Sequence, residues 1–401
     1  MDTCVTQVIL KVASRCNLSC SYCYVYHKAD STWKQQPALM SDQIFAVTIE
    51  RVRQHCLFSR QRSVFIAFHG GEPCLIGARK FDAWCSEARQ TLSTTAVSFA
   101  IQTNGTLIDS EWIRVFQKHR VSVGISMDGP RAVHDLYRVD HQGRGSYDRV
   151  TETLQMLRAA RVRHGVLCVI PLGEDALAVH RHFLDLNCKS ITYLLPHFTH
   201  DTISPIRSVY GATPCADFLI PIFDDWWFNS TSEVRVEDMR NMVRIILGGG
   251  SQMECLGNQP PSYVFIEPDG DIEGLDTLRI CEQGMSKTGL NVRRAEFRAI
   301  LENNSLHRTA IFEGFPLAQA CRACPEGTTC AGGHLPHRYS RARGFDNPSV
   351  WCADLLKIFS HLRQRLVVSV AETVARRQAL AGQALVFDPD SSDERHTAVS
   401  N

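Results

Sequence analysis

The chain has 401 residues, enough for one large domain or two to three ordinary ones, and for a buried core without disulfide bonds. Its 43 Lys and Arg residues nearly balance 42 Asp and Glu residues, so the formal charge of +1 argues against a surface that binds nucleic acid. With 44% hydrophobic residues, no apolar run near the ~18 residues of a membrane helix and no export signal at the N-terminus, the sequence predicts a globular, cytoplasmic protein without a membrane partner.

Six short β-rich runs alternate with longer helical patterns in the first half of the chain. The runs are Thr6–Val12, Val64–Phe68, Val97–Gln102, Val121–Ser126, His164–Ile170 and Ser190–Leu195. Between them, apolar residues recur at three- and four-residue spacing, as at Ile44, Val47 and Val52. Such alternation is typical of parallel strands with helical crossovers. We therefore predict an α/β fold that begins with a partial (β/α)6, TIM-like barrel over residues 1–210.

The pattern changes after residue 210. Four further segments are expected: a helical bridge over 211–262, a loop-rich domain over 263–352, a C-terminal helix over 353–385 and a tail over 386–401. The bridge contains helical patterns at Cys215–Phe228 and Val234–Leu247. Val264–Asp271 is typical of a strand that enters a tight turn, and Asp354–Ala381 carries the apolar stripe of a helix.

Sixteen cysteines are many for a chain without an export signal. In a reducing compartment, metal ligation, catalysis or burial explains them better than disulfide bonds do. One group lies within eight residues, and a second lies between Cys321 and Cys352. For most of the scattered cysteines we expect the role of a small buried hydrophobe.

The first group, Cys16, Cys20 and Cys23, directly follows the first predicted strand. Three thiolates from one loop can hold three irons of a cubane cluster and leave the fourth iron open to a small molecule. The alternatives are incidental cysteines and a zinc site, which needs a fourth ligand, with His27 as the nearest candidate. Spacing alone leaves these alternatives open.

Together with its neighbours, this group resembles the signature of radical S-adenosylmethionine (SAM) enzymes. The signature is Cys-x3-Cys-x-Tyr-Cys, and the glycine-rich stretch His69–Pro73 follows the second strand as it does in that superfamily. Asn104-Gly105 follows the third strand and Ser126–Pro130 the fourth. Each motif lies at the C-terminal end of its strand, where barrel enzymes build their active sites.

The resemblance implies a [4Fe–4S] cluster with an open iron site, held by Cys16, Cys20 and Cys23, and SAM bound to it. The residues that the resemblance assigns to SAM are Tyr22, Gly70, Gly71, Glu72, Asn104, Ser126 and Arg138. The glycines let a backbone approach a ligand closely, and Glu72 offers a carboxylate to an amino group. For Arg138 the alternative is an ordinary surface salt bridge.

The second cysteine group resembles the auxiliary-cluster part of the SPASM domain and implies at least one auxiliary [4Fe–4S] cluster. Its members are Cys321, Cys324, Cys330 and Cys352, and a structural zinc is the alternative. The fuller SPASM pattern has two more cysteines, where this chain has Leu275 and His334. Cys255, Cys281 and His334 are candidate ligands of a further site, although we expect that this second auxiliary cluster is lost and that His334 lies in a loop or faces the substrate.

Two stretches, Gly332–Ser340 and Gly344–Cys352, resemble the C-terminal region of the cyclophane-forming (FxsB-type) maturases of ribosomally made peptides (RiPPs). The implied activity removes a side-chain hydrogen from a precursor peptide that carries a leader. A carbon–carbon crosslink then forms between an aromatic ring and a nearby aliphatic carbon. A donor such as flavodoxin or ferredoxin supplies electrons. Related maturases use an Asp at the position of Asp276 as proton acceptor, whereas the alternative for Asp276 is a turn or helix cap.

Two other functions stay open. A sulfatase-maturase-like enzyme would oxidise a Ser or Cys side chain with the same clusters and base, and Leu275 and His334 count against it. A zinc-stapled, non-catalytic binding protein would contain zinc, show no cluster absorbance and turn over no SAM.

Overall fold

The computed structural model describes residues 4–229, 234–251, 253–254, 256, 260–303 and 305–384. The chain divides into two compact units, Met1–Ile358 and Phe359–Asn401. The second unit consists, in its described part, of the continuation of one long helix. The predicted tail over 386–401 lies outside the described residues.

Within the described residues, ten strands form one sheet. They are β1 Gln7–Ala13, β2 Ser63–Gly70, β3 Ala96–Thr103, β4 Ser122–Ser126, β5 His164–Val169, β6 Ser190–Leu194, β7 Arg235–Val236, β8 Tyr263–Ile266, β9 Asp271–Glu273 and β10 Lys287–Asn291. Their order is β10-β9-β8-β1-β2-β3-β4-β5-β6-β7. Strands β8 and β1 to β7 pair in parallel, whereas β9 and β10 pair antiparallel. The predicted α/β class and its six leading strands are confirmed, with strand ends within two residues of the expected ones.

Helices connect and cover the strands. They are α1 Asp42–Phe58, α2 Ala78–Thr91, α3 Ser110–His119, α4 Arg131–Tyr137, α5 Tyr147–Ala159, α6 Ala176–Asp185, α7 Ser204–Tyr210, α8 Pro214–Asp224, α9 Glu237–Ile246, α10 Ala299–Asn303, α11 Ser305–Arg308, α12 Gln319–Arg322, α13 Gly327–Cys330 and α14 Cys352–Ala384. Tighter 3-10 turns are formed by Thr32–Gln35, Pro73–Ile76, Asp276–Ile280 and Leu335–Arg338, and wider π turns by Asp225–Asn229 and Thr309–Glu313. Helix α14 confirms the predicted C-terminal helix.

Helix α1 shows why the crossovers form where the sequence places them. The Ser41 hydroxyl caps the helix by accepting a hydrogen bond from the Ile44 backbone N–H at 3.2 Å. Apolar residues then recur on one face, and Ile44, Phe45 and Ile49 are buried against the sheet side of the molecule. The Phe45 ring stacks on Trp84 of α2 with 4.3 Å between ring centroids. Capping and a one-sided apolar stripe together fix the helix and its buried face.

Strand β8 continues the barrel sheet rather than starting a separate one. Its residues Tyr263 to Ile266 pair in parallel with Gln7 to Leu10 of β1. All four β8 residues are buried, because the strand is covered on both faces. The domain boundaries at 210 and 262 stay predictions, but the sheet runs across the second of them.

Two expectations of secondary structure were wrong in detail. The helix expected at Val234–Leu247 is preceded by β7, because Arg235 and Val236 pair with β6. Strand β10, within the segment expected to be loops, pairs with β9. Both strands are short edge strands of two and five residues, which carry little periodicity to read. Among the described residues, no helix is both long and apolar enough to cross a membrane.

Candidate active site

A cavity of about 230 Å³ lies at the carboxyl ends of the parallel strands. Five successive strand ends each contribute a wall residue, namely Cys16, Gly71, Asn104, Ser126 and His197. Carboxyl ends of parallel strands meet at one edge of a sheet, and this edge is where such folds bind ligands. The predicted motifs therefore converge on a single cavity.

All three cysteines of the first group line this cavity and are half-buried. An Asn104 amide N–H points at Cys16 Sγ from 3.7 Å, and Arg138 Nη1 lies 3.9 Å from Cys20 Sγ. Among the described residues, no three of these sulfurs lie within 4.8 Å of one another. Four thiolates around one zinc ion are about 3.8 Å apart, and His27 is exposed. The wider spacing fits a cluster that holds each thiolate on a separate iron.

The glycine-rich stretch fixes the cysteine loop from below. Gly71 N–H donates to the Ala13 carbonyl at 2.7 Å, and Glu72 N–H donates to the Arg15 carbonyl at 2.9 Å. A Cβ on Gly71 would lie 2.3 Å from the Arg15 carbonyl oxygen, so only glycine permits this approach. The two glycines are thus needed against the strand that precedes Cys16, besides lining the cavity.

Glu72 is fully buried beneath the cavity instead of facing it. One carboxylate oxygen accepts from the Cys74 N–H and the Thr103 hydroxyl, at 2.9 and 2.6 Å. The other accepts from the Asn104 N–H at 2.8 Å. In this geometry Glu72 positions Asn104 and the end of β3, and its carboxylate is committed to the protein rather than to an amino group of a ligand.

Arg138 belongs to a buried group and not to the surface salt bridge that was its alternative. Its Nε donates to Asp128 Oδ2 at 2.8 Å, and its guanidinium lies 5.4 Å from the centroid of the Tyr22 ring. The Tyr22 hydroxyl donates to the same Asp128 oxygen. Only 8% of Arg138 is exposed, and it lines the cavity with Tyr22. Asp128 therefore orients two of the residues assigned to SAM.

Ser126 and Asn104 both line the cavity, as expected. The Ser126 hydroxyl accepts from Gln102 Nε2 at 2.9 Å. Asn104 Nδ2 donates to Asn17 Oδ1 at 2.9 Å, which ties the end of β3 to the cysteine loop. These bonds preset both side chains on the cavity wall.

Asp276 is buried next to the cavity at the start of a 3-10 turn, and its side chain makes no cap. Its Oδ2 accepts from the Tyr24 hydroxyl at 2.7 Å and lies 3.1 Å from Lys11 Nζ. Burial alone would raise the pKa of Asp276, but Lys11, His69 and Tyr24 outweigh it and hold the pKa below its usual range. Tyr24 and His69 line the cavity. An ionised carboxylate thus stands one side chain behind the cavity wall.

Lys11 connects Asp276 to a buried network of charges. Lys11 Nζ lies 2.9 Å from Glu267, whose carboxylate also pairs with Arg279 at 2.8 Å. Arg279 Nη2 pairs with Glu273 at 2.6 Å. Burial, reinforced by Glu267, raises the pKa of Glu273 to about 7, and its Oε1 is buried without a hydrogen-bond partner. Sequence reasoning missed Lys11, although a lysine inside the apolar run of β1 was a visible signal.

The second cysteine group converges as predicted. Its four members, Cys321, Cys324, Cys330 and Cys352, line one small cavity of about 30 Å³. Burial, followed by the neighbouring thiols, raises the pKa of Cys330 to about 12. No three of these sulfurs lie within 4.8 Å of one another among the described residues, so this site also fits a cluster better than one zinc ion.

The candidate further site does not assemble from the described residues. Cys255 lies outside them. Cys281 is buried in an apolar cluster with Leu278, and its Sγ faces the Pro336 carbonyl at 3.8 Å. His334 Nε2 bonds instead to Glu254 Oε1 at 2.7 Å. Leu275, at the position of the fuller pattern's cysteine, is buried in the same apolar cluster.

The stretches that suggested the subgroup do structural work around the second cysteine group. Asn347 Nδ2 donates to the Arg338 carbonyl, the Ser340 hydroxyl and the Gly344 carbonyl at 2.9, 3.1 and 3.1 Å. Trp351 Nε1 donates to the Pro196 carbonyl at 2.9 Å. Such residues hold a turn and carry no information about the bond that an enzyme makes.

Comparison with known proteins places these features. Residues 10–186 match the model of the Radical SAM superfamily. The chain is 24% identical over 376 residues to a cysteine-type anaerobic sulfatase-maturating enzyme of Clostridium perfringens, spanning 90% of this chain and 96% of that one. It is 22% identical over 374 residues to a serine-type anaerobic sulfatase-maturating enzyme of Bacteroides thetaiotaomicron, spanning 88% of each.

The fold resembles that of native anSMEcpe with bound AdoMet and Cp18Cys peptide, with a TM-score of 0.77. The likeness has 23% sequence identity and covers 92% of this chain and 99% of that chain. It shows the fold.

These findings confirm the predicted radical SAM fold and its SAM and iron–sulfur cofactors. They contradict the predicted function. The expectation of a cyclophane-forming RiPP maturase was wrong, because relatives that span 88 to 90% of the chain are sulfatase-maturating enzymes. The stretches Gly332–Ser340 and Gly344–Cys352 misled because they reflect the scaffold of the second cysteine group.

Proposed function

We propose that this chain, a radical SAM protein over residues 10–186, oxidises a Cys or Ser side chain of a peptide or protein substrate. The support is the length over which the chain aligns with sulfatase-maturating enzymes, together with the cavity that joins the first cysteine group to Tyr24 and His69. The observation that carries the proposal is the buried pair of Lys11 and Asp276 behind that cavity wall.

The net reaction removes two hydrogens from the substrate side chain. One leaves the β-carbon as a hydrogen atom, and the thiol or hydroxyl then loses a proton while one electron departs, so that a carbon–sulfur or carbon–oxygen double bond forms. When bound, SAM and the clusters supply the hydrogen-atom acceptor and the electron acceptor that this oxidation needs. A donor such as flavodoxin or ferredoxin supplies the electron that starts the reaction. A leader peptide is not part of the proposal.

The chain's own residues bind, orient and accept the proton. Asp128 holds Arg138 and Tyr22 against the cavity on the side of the cysteine loop. On the other side, Asp276 is the proton acceptor, and the Tyr24 hydroxyl stands between it and the cavity. Since Lys11 keeps Asp276 ionised, the base is ready at neutral pH.

The test uses the anaerobic enzyme with reconstituted clusters, SAM, a reductant and two short peptides that differ only in Cys or Ser against Ala at one position. We expect loss of two hydrogens from the Cys or Ser peptide and a product that reacts with a hydrazide probe, because oxidation creates a carbonyl-type carbon. The Ala peptide stays unchanged. A product that has lost two hydrogens but does not react with hydrazide would contradict the proposal, since a crosslink shows that mass change without a carbonyl.

A further inference from the structure

Three histidines from two distant parts of the chain meet beside the cavity. His197 follows β6, whereas His334 and His337 flank and occupy the 3-10 turn Leu335–Arg338. One side-chain nitrogen of each lies within 4.8 Å of the others. The ring centroids are 5.5, 5.3 and 4.9 Å apart. This is the one group of three or more His, Cys, Asp or Glu side chains with that spacing among the described residues.

The geometry of these rings is that of ligands and not of a packed core. His197 Nδ1 and His337 Nε2 are 3.1 Å apart. Two imidazole nitrogens on one tetrahedral zinc ion are about 3.3 Å apart, given zinc–nitrogen bonds of about 2.0 Å. The observed separation therefore needs only a small change of side-chain angle to place an ion between the two rings.

The remaining donors are left without protein partners. His334 is 3% exposed and His337 is 1% exposed, and Nδ1 of each is buried with no hydrogen-bond partner among the described residues. An unpaired ring nitrogen in such a place is costly unless something binds it. Glu254 accepts from His334 Nε2 at 2.7 Å, which leaves Nδ1 as the free donor of that ring. A carboxylate on the far nitrogen of a histidine is the usual support of a metal ligand.

We propose that His197, His334 and His337 bind one divalent transition-metal ion, with Glu254 orienting His334. Three imidazoles suit Zn²⁺ or Fe²⁺, and three protein ligands leave a coordination position for another donor. His197 lines the cavity, and its ring packs edge-on against Tyr24 at 5.5 Å, so the ion lies at the border of the active site. The site is separate from both cysteine groups and needs neither SAM nor substrate to form.

The test measures zinc on the enzyme with its clusters loaded. The protein is treated with a mild chelator, equilibrated with Zn²⁺ and analysed for zinc and iron. We expect one zinc per chain above the cluster iron, and at least about tenfold weaker zinc binding in His197→Asn and His337→Gln at unchanged iron content. The matched control is His200→Asn, because His200 lies three residues from His197 and bonds to the Pro348 carbonyl outside the group. Equal zinc binding in the variants and the wild type would overturn the proposal.

A second measurement covers variants that lose their clusters. X-ray absorption at the zinc edge of the wild type should show nitrogen neighbours at about 2.0 Å and no sulfur shell at about 2.3 Å. A sulfur shell would assign the zinc to a cysteine group and end the proposal, as would zinc content no higher than that of the buffer. Neither assay uses SAM or peptide, so failure of the proposed oxidation leaves its outcome intact.

Discussion

The loop that carries Cys16, Cys20 and Cys23 and the segment 263–352 are built in opposite ways. In the first, all three ligands lie within eight residues, and their supports follow neighbouring strand ends. In the second, four cysteines are spread from Cys321 to Cys352, and Asp276 meets its partners Lys11 and Tyr24 only through the sheet. A site written in one short loop can be altered by itself, whereas a site assembled across the chain depends on the fold that assembles it.

Removing the two cysteine groups should separate these modes most strongly. Two cubane clusters predict about 8 iron per chain, and a Cys16/Cys20/Cys23→Ala variant should lose about 4 and all SAM cleavage. A Cys330→Ala variant should keep SAM cleavage, lose peptide oxidation and unfold at lower temperature, because Cys330 is part of a scaffold. Iron, sulfide, 5′-deoxyadenosine and thermal unfolding are the readouts, with Cys4→Ala as control. About 12 iron per chain would instead show a third cluster.

Asp276→Asn should uncouple the reaction at the long-range site alone. The amide cannot accept the proton, so we expect oxidised peptide to fall by about a hundredfold or more while 5′-deoxyadenosine still forms. The control is Asp148→Asn, an exposed carboxylate paired with Arg131. Unchanged yield of oxidised peptide would remove Asp276 from the mechanism.

Lys11→Met should act on the same base through its charge. Without the ammonium at 3.1 Å, the pKa of Asp276 rises toward and above its usual range. Because the ionised form is the active one, the acidic limb of the pH–rate profile should move up by about one pH unit or more. Lys11→Arg restores the charge and should restore the profile, and the exposed Lys118→Met should leave it in place. An unmoved limb in Lys11→Met would show that another group controls it.

Asn347→Ala should have the smallest chemical effect. The variant leaves two buried carbonyls without their donor, which should cost about 1–3 kcal/mol of unfolding free energy. SAM cleavage per folded molecule should persist, since Asn347 holds a turn. Denaturant unfolding measures the loss, and the exposed Asn229→Ala serves for comparison. A variant as stable as the wild type would show that other bonds hold the turn.

The sequence was most informative where structure is local. The six leading strands and the cysteine loop were predictable because apolar runs, strand ends and ligand spacing are all visible within about ten residues. Lys11, Asp128 and His197 were not recognised, because their roles arise from partners far along the chain. Glu72 shows a third case: its place was predicted, but its hydrogen bonds to Thr103 and Asn104 needed the folded β3.

The same logic explains the wrong prediction of function. Arg338, Asn347 and Trp351 form a dense set of bonds around the second cysteine group, so any enzyme with that scaffold can carry a similar stretch. The choice between forming a crosslink and oxidising a side chain depends on where the substrate lies beside the cavity, which such a stretch does not encode.

The parallel pairing of β8 with β1 has a consequence for anyone who wants to exchange parts among such enzymes. A chimera joined at residue 262 would import β8 from one parent and keep β1 from the other, and every rung between Gln7 and Leu10 would become a hybrid contact. The graft would also separate Lys11 from the carboxylate it was selected with. The transferable cassette is therefore not the cysteine-rich segment alone but that segment together with the first strand of the chain.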